Sequence, residues 1–105
     1  MKHAPSFVQQ VTTMYGAWIV GGAALPNLEA PPRDWDIVVP WEHWRSVAML
    51  IPGDARPNQF GGWRFKTHTG QEIDIWPEDL GVYLARRGFF RAAYHPKSGL
   101  RLVPG

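Results

Sequence analysis

Two short segments of the chain keep a two-residue period, and each carries its acids on one side of it. In DWDIVV, Asp34 and Asp36 alternate with Trp35, Ile37 and Val39. In EIDIW, Glu72, Asp74 and Trp76 alternate with Ile73 and Ile75. A helix would scatter these residues around its axis. A strand sends alternate residues to opposite faces, with residues two apart roughly 7 Å from each other at Cα. The pattern predicts two half-buried strands, 35–39 and 71–76, each with one apolar and one acidic face. If the two strands are neighbours, three carboxylates meet.

The remaining elements follow from punctuation. Ser6 and Gln9 form a capping-box pair, and Phe7, Val8, Val11, Met14 and Tyr15 fall at helical spacing, which predicts a helix over 6–15 ending at Gly16. Residues 17–20 read as a short buried strand running into Gly21-Gly22. Residues 23–33 begin as a helical turn that three prolines keep short. Pro40 opens a helix through Ile51, stopped by Pro52-Gly53, and 52–61 is a loop by composition. WRFKTH and QEIDIW form a hairpin around Thr69-Gly70. A three-residue loop, His68 to Gly70, places Gly70 where a left-handed residue is needed, and sets Arg64 opposite Asp74 and Lys66 opposite Glu72. Pro77, Glu78 and Asp79 start a third helix with Leu80, Tyr83 and Leu84 on its apolar face. Arg86 and Arg87 suit its C-terminal dipole and Gly88 its cap. A last hairpin turns about His95–Gly99. The expected fold is α/β in the broad sense (α+β), a mixed sheet with packed helices, in one domain over 1–105.

A chain of 105 residues buries about two thirds of its unfolded surface, and 45% hydrophobic residues with six Trp supply the core. Cysteine is absent, which excludes disulfides, Cys-based zinc sites and thiol catalysis. The first sixteen residues lack the continuous apolar stretch of a signal peptide, and no run approaches a membrane span, so the expected location is cytoplasmic with no membrane partner. A net charge of +2 allows a nucleotide or nucleic acid without demanding one.

Clustered carboxylates raise one another's pKa, and a divalent cation removes that cost. Hard oxygen ligands suit Mg²⁺ or Mn²⁺. Metals held there could activate a hydroxyl and stabilise a leaving pyrophosphate. An Asp at a strand start beside Pro and Arg also serves as a plain turn cap or surface ion pair.

The succession WIVGGAAL, RDWDIVV and EIDIW resembles the nucleotidyltransferase superfamily of the DNA polymerase β type, over roughly residues 17–76. It is most similar to the Gly-Gly…Asp-x-Asp opening of tRNA CCA-adding enzymes and of some antibiotic nucleotidyltransferases. The resemblance implies a minimal nucleotidyltransferase fold. It implies Asp34, Asp36 and Asp74 as catalytic and metal-holding residues, with Asp74 activating the acceptor hydroxyl. It implies Gly21 and Gly22 as a close approach for nucleotide phosphates, and an NTP and an acceptor (small molecule, RNA or protein) as partners, with a partner protein besides. Arg33, Arg64 and Lys66 are candidate phosphate contacts by charge. The sequence departs from the larger relatives after Gly22, where Ala23, Ala24, Leu25 and Pro26 include no basic group. The alternative is therefore a catalytically degenerate module of the same fold that binds nucleotide, nucleic acid or a partner protein. The four histidines lack metal-ligand spacing and read as surface or capping residues, and Arg86, Arg87 and Arg91 as a solvated face.

Overall fold

The computed structural model of the chain describes residues 4–25, 32–85 and 91–103. In chain order the elements are α1 (Ser6–Tyr15), β1 (Trp18–Val20), a 3₁₀ turn (Gly21–Ala24), β2 (Asp34–Val39), α2 (Trp41–Ala48), β3 (Arg56–Pro57), β4 (Trp63–Lys66), β5 (Glu72–Pro77), α3 (Leu80–Leu84), β6 (Arg91–His95) and β7 (Gly99–Val103). The strands make one mixed sheet in the order β3-β4-β5-β2-β1-β6-β7. β2 and β5 run parallel and every other pair antiparallel.

The two-residue period divides the core as the alternation predicts. Trp35, Ile37, Val39, Ile73 and Ile75 pack on one face, against Val8 and Val11 of α1 and Val47 of α2. Each such aliphatic side chain removed from water contributes about 1.5–3 kcal/mol. Phe65 of β4 joins this face and meets Phe7 edge-on, with ring centroids 5.1 Å apart. The opposite face carries a second cluster of Val20, Val38, Trp76 and Ala93 beneath Tyr83 of α3. Among the described residues no helix is long and apolar enough to cross a membrane.

The β4–β5 hairpin has the expected register, with Arg64 opposite Asp74, Phe65 opposite Ile73 and Lys66 opposite Glu72. Thr67 and Gln71 close a loop of His68, Thr69 and Gly70, and Gly70 takes φ 84°. The final hairpin also forms, closing with His95 opposite Gly99.

Several expectations need correction. α1 spans the predicted residues, but Pro5 occupies the N-cap and no side chain caps it. The chain enters one residue earlier than a Ser6 cap requires, and the Gln9 side chain donates instead to the Ala4 carbonyl at 2.8 Å. α2 ends at Ala48 rather than Ile51. Its last carbonyls are met by i→i+3 bonds from Leu50 and Ile51, because Pro52 disfavours helical geometry in the residue before it. The loop 52–61 contains β3, a two-residue strand too short to show a period. Pro77 closes β5 rather than opening α3, which Asp79 caps by accepting from the Gly81 amide at 2.9 Å. His95 is buried rather than superficial: its Nε2 lies 2.9 Å from the Thr12 carbonyl and its Nδ1 accepts from the Lys97 amide, tying β6 to α1. The expected roles of Arg86, Arg87 and Gly88, and of His3, fall outside the described residues.

Candidate functional site

Register places the charges. Asp36 lies beside Asp74 on the parallel β2–β5 ladder, and Asp34 beside Glu72. Across the antiparallel β4–β5 ladder, Arg64 faces Asp74 and Lys66 faces Glu72. Directly opposed residues share a face. Two rows therefore cross the sheet, Arg64–Asp74–Asp36 and Lys66–Glu72–Asp34, each a cation followed by two carboxylates. A third row on the same face, Trp76 beside Val38, belongs to the core under α3. α3 covers the carboxyl ends of β2 and β5 and leaves the amino ends open. There Asp34, Asp36, Arg64, Glu72 and Asp74 line a cavity of about 260 Å³.

The carboxylates differ in what compensates them. Asp74 is buried, and its Oδ2 accepts from Arg64 Nε at 3.1 Å and Nη2 at 2.8 Å. Its Oδ1 accepts from Asn58 Nδ2 at 3.1 Å. Arg64 Nε also lies 3.4 Å from Glu72 Oε1. The hydrogen bonds and charge of Asp74 push the Arg64 guanidinium above its usual pKa, so the cation is permanent. Asp36 has no hydrogen-bond donor among the described residues. Burial, then the charges of Asp74 and Asp34, raise its carboxyl from the usual 3.8 to about 6, against a smaller downward pull from Arg64. Asp34 is exposed.

Gly21 abuts this centre. Its φ is 71°, and a Cβ there would sit 3.2 Å from Asp36 Oδ2, so glycine serves both the turn and the close approach. Gly22 is exposed, has no positive φ and has room for a side chain. Arg33 is exposed at the bend before β2, and its carbonyl accepts from the Glu72 amide. Its side chain does not line the cavity. Lys66 lies on a neighbouring groove.

The sequence reading missed Asn58. Its Oδ1 accepts from the Phe60 and Gly62 amides, while Nδ2 donates to the Trp63 and Ile75 carbonyls as well as to Asp74. One side chain thus folds the loop 58–62 and orients a carboxylate. The loop lies so close to β5 that a Cβ on Gly62 would be 1.9 Å from the Ile75 carbonyl oxygen. The visible signal was PNQFGG, a turn-rich run in which an Asn precedes a Gly pair.

Asp34 and Asp36 fit a hard divalent cation: both offer carboxylate oxygens on one face, and Asp36 accepts no hydrogen bond among the described residues. Among the described residues no three acids or histidines have converged into a ready metal site, and Asp74 is committed to Arg64 and Asn58.

No protein-family model and no curated protein sequence matches the chain. Solved structures do. A Thermotoga maritima CCA-adding enzyme complexed with tRNA aligns with a TM-score of 0.60 at 22% identity, covering 99% of this chain and 30% of that one. Complexes of CCA-adding enzyme with ATP and with CTP align at 0.58 and 0.59, each at 22% identity and over 98% of this chain, covering 31% and 30% of theirs. The likeness is one of fold. The mixed seven-stranded sheet with its helices is the α+β architecture of these members of the nucleotidyltransferase superfamily. The chain spans about 30% of their length.

Proposed function

We propose that the protein is a metal-dependent nucleotidyltransferase, moving a nucleoside monophosphate from an NTP to a hydroxyl of an acceptor. The observation that carries this reading is the pairing of Asp36 with Asp74 across β2 and β5. Asp36 is left without a hydrogen-bond or ion-pair partner among the described residues, half-buried and beside a glycine that keeps its flank clear. Such a carboxylate is costly for the fold to keep, and a ligand that removes the cost accounts for it.

In this reading Asp34 and Asp36 hold Mg²⁺ or Mn²⁺, which when bound neutralises charge on the triphosphate. The acceptor oxygen forms a bond to the α-phosphorus, the bond to pyrophosphate breaks, and the hydroxyl proton leaves toward Asp74 or water. Gly21 and Gly22 give the phosphates access to backbone amides, and Arg33, at the bend before β2, is a further phosphate contact by charge. Arg64 holds Asp74 in place through two hydrogen bonds to its Oδ2. The tRNA and nucleotides of the fold's relatives are compatible with an NTP and a hydroxyl acceptor.

The Arg64 clamp on Asp74 and the apolar residues after Gly22 favour a second reading, a degenerate module that binds nucleotide, nucleic acid or a partner protein without transfer. Incubation with each α-labelled NTP, Mg²⁺ or Mn²⁺ and a cell extract separates the two. Transferase activity labels a small or large acceptor and loses the label in Asp36→Asn. Saturable NTP binding with no labelled product supports the module.

A further inference from the structure

Two cations of the sheet, Arg56 and Lys66, lie away from Gly21, beyond the Asp74 side of the carboxylate cavity. Gly21 flanks β2 on the β1 side. Three strands from β2 on the other flank, β3 sets Arg56 directly opposite Arg64. Like charges directly opposed across a ladder destabilise it. Arg64 has Asp74 and Glu72 to answer its charge. Arg56 has no charged partner among the described residues, and neither does Lys66, two positions beyond Arg64 on the same face. Arg56 and Lys66 are thus diagonal neighbours, roughly 7–8 Å apart at Cα, and both are exposed. They line a groove of about 760 Å³ that shares Arg64 and Glu72 with the carboxylate cavity. Asp54 also lines it, without an ion pair to either cation.

An arginine that is permanently charged, opposed by another and without an acid among the described residues is a standing cost that an anion removes. We infer that Arg56 and Lys66 form a phosphate-binding groove on the β3–β4 edge, holding phosphate groups of the acceptor on the Asp74 flank. The two cations rise from separate strands on long, independent stems, which suits separate phosphates better than one chelated group. The groove continues into the carboxylate cavity through Arg64, so an acceptor anchored there presents its hydroxyl toward Asp74. The word "acceptor" rests on the transferase reading above. The anion site itself does not.

The test is binding without NTP or divalent metal, in EDTA, so that the carboxylate site contributes nothing. The probes are a fluorescent single-stranded oligouridylate of about ten nucleotides and inorganic pyrophosphate, the first by polarisation and the second by calorimetry. Arg56→Gln/Lys66→Gln is expected to weaken one or both probes by roughly tenfold or more. For the oligonucleotide it should lower the salt slope of binding by about one per cation removed. Loss confined to the oligonucleotide assigns the phosphates to a nucleic acid strand; loss confined to pyrophosphate assigns them to a small phosphorylated acceptor. Lys97→Gln, remote in the β6–β7 turn, controls for net charge. A folding readout accompanies it: Arg56→Gln should leave the melting temperature unchanged or slightly higher, since a like-charge pair is relieved. Equal binding of both probes by wild type and double variant, no binding by wild type, or an equal loss in Lys97→Gln overturns the groove. Intact Arg56- and Lys66-dependent binding with no transfer to any acceptor removes the transferase reading and leaves the groove standing.

Discussion

Arg64 Nη2 lies 2.8 Å from Asp74 Oδ2, and this contact separates the acidic pair: among the described residues one carboxylate has an ion pair and the other, Asp36, has none. The asymmetry gives the two acids different expected behaviour toward pH, metal and substitution.

Asp36 should set part of the acid dependence of stability. Its folded pKa of about 6 exceeds the usual 3.8, so between about pH 4 and 6 the native state holds more proton than the unfolded chain. Stability from this group is then greatest below pH 4, falls as pH rises through 6, and stays low above it. Asp36→Asn should remove the slope and be more stable than wild type at pH 7.5. The gain is about 1–2 kcal/mol, discounting the two-unit shift for a partly exposed carboxyl. The difference between wild-type and Asp36→Asn urea midpoints across pH 4–8 isolates the effect from the other acids. A flat difference across that range would falsify it.

Metal should act on the same group with the opposite sign. In the proposed reading Mn²⁺ has a site on the native chain and none on the unfolded one, so it should raise the melting temperature at pH 7.5, by about 2.7 kcal/mol of stability at a hundredfold excess over its dissociation constant. The rise should shrink at pH 5, where proton and metal compete for Asp36, and shrink again in Asp36→Asn. Scanning calorimetry with and without Mn²⁺ reads all three; an equal rise in wild type and variant argues against a shared site.

Asn58→Ala should destabilise the fold by about 1–3 kcal/mol, since it strips the 58–62 amides of their acceptor and Asp74 of a donor. Gly62→Ala should be harsher, because its Cβ meets backbone that cannot swing away. Urea unfolding measures both. If Asn58→Ala matches wild type, the loop does not depend on that side chain.

What could be read in advance tracks where periodicity is strong. The β4–β5 register was legible because one-residue slippage would carry Phe65 from the Phe7 contact to the acidic face, and because Gly70 marks the left-handed position of a three-residue loop. The neighbouring of β2 and β5 was inferable from their matched acid alternation, although nothing in the spacing required a parallel pair. β3 was invisible at two residues, and with it the Arg56–Arg64 opposition. Asn58 was invisible for another reason: its role depends on five partners at loop and strand positions that only tertiary packing assembles. Arg64 shows a different limit. Its place opposite Asp74 could be deduced, yet charge alone suggested phosphate, and a cation beside a buried carboxylate is engaged before any ligand arrives.

The sharpest distinction between enzyme and binder lies in comparing the two acids within one assay. Phosphoryl transfer gains most from positioning and charge neutralisation, so a group that serves the nucleotide's metal should affect binding and rate together. Asp36→Asn is therefore expected to weaken Mg²⁺-dependent binding of a nonhydrolysable NTP and to lose transfer. Asp74 stands one strand further from Gly21, held by Arg64 and Asn58, and should act mainly on the acceptor hydroxyl as the bond forms. Asp74→Asn should keep substantial NTP binding while transfer falls by 10²-fold or more, the scale of a lost general base. Arg64→Gln should lower the transfer rate while NTP binding is largely retained, because Asp74 loses the guanidinium that orients it, whereas a purely structural Arg64 would change stability alone. Parallel NTP titrations and labelling rates for the three variants resolve these outcomes. If Asp36→Asn and Asp74→Asn bind and transfer as wild type does, the paired acids are strand furniture and the transferase reading fails. If wild type binds NTP with Mg²⁺ and no acceptor is ever labelled, the binding module takes its place.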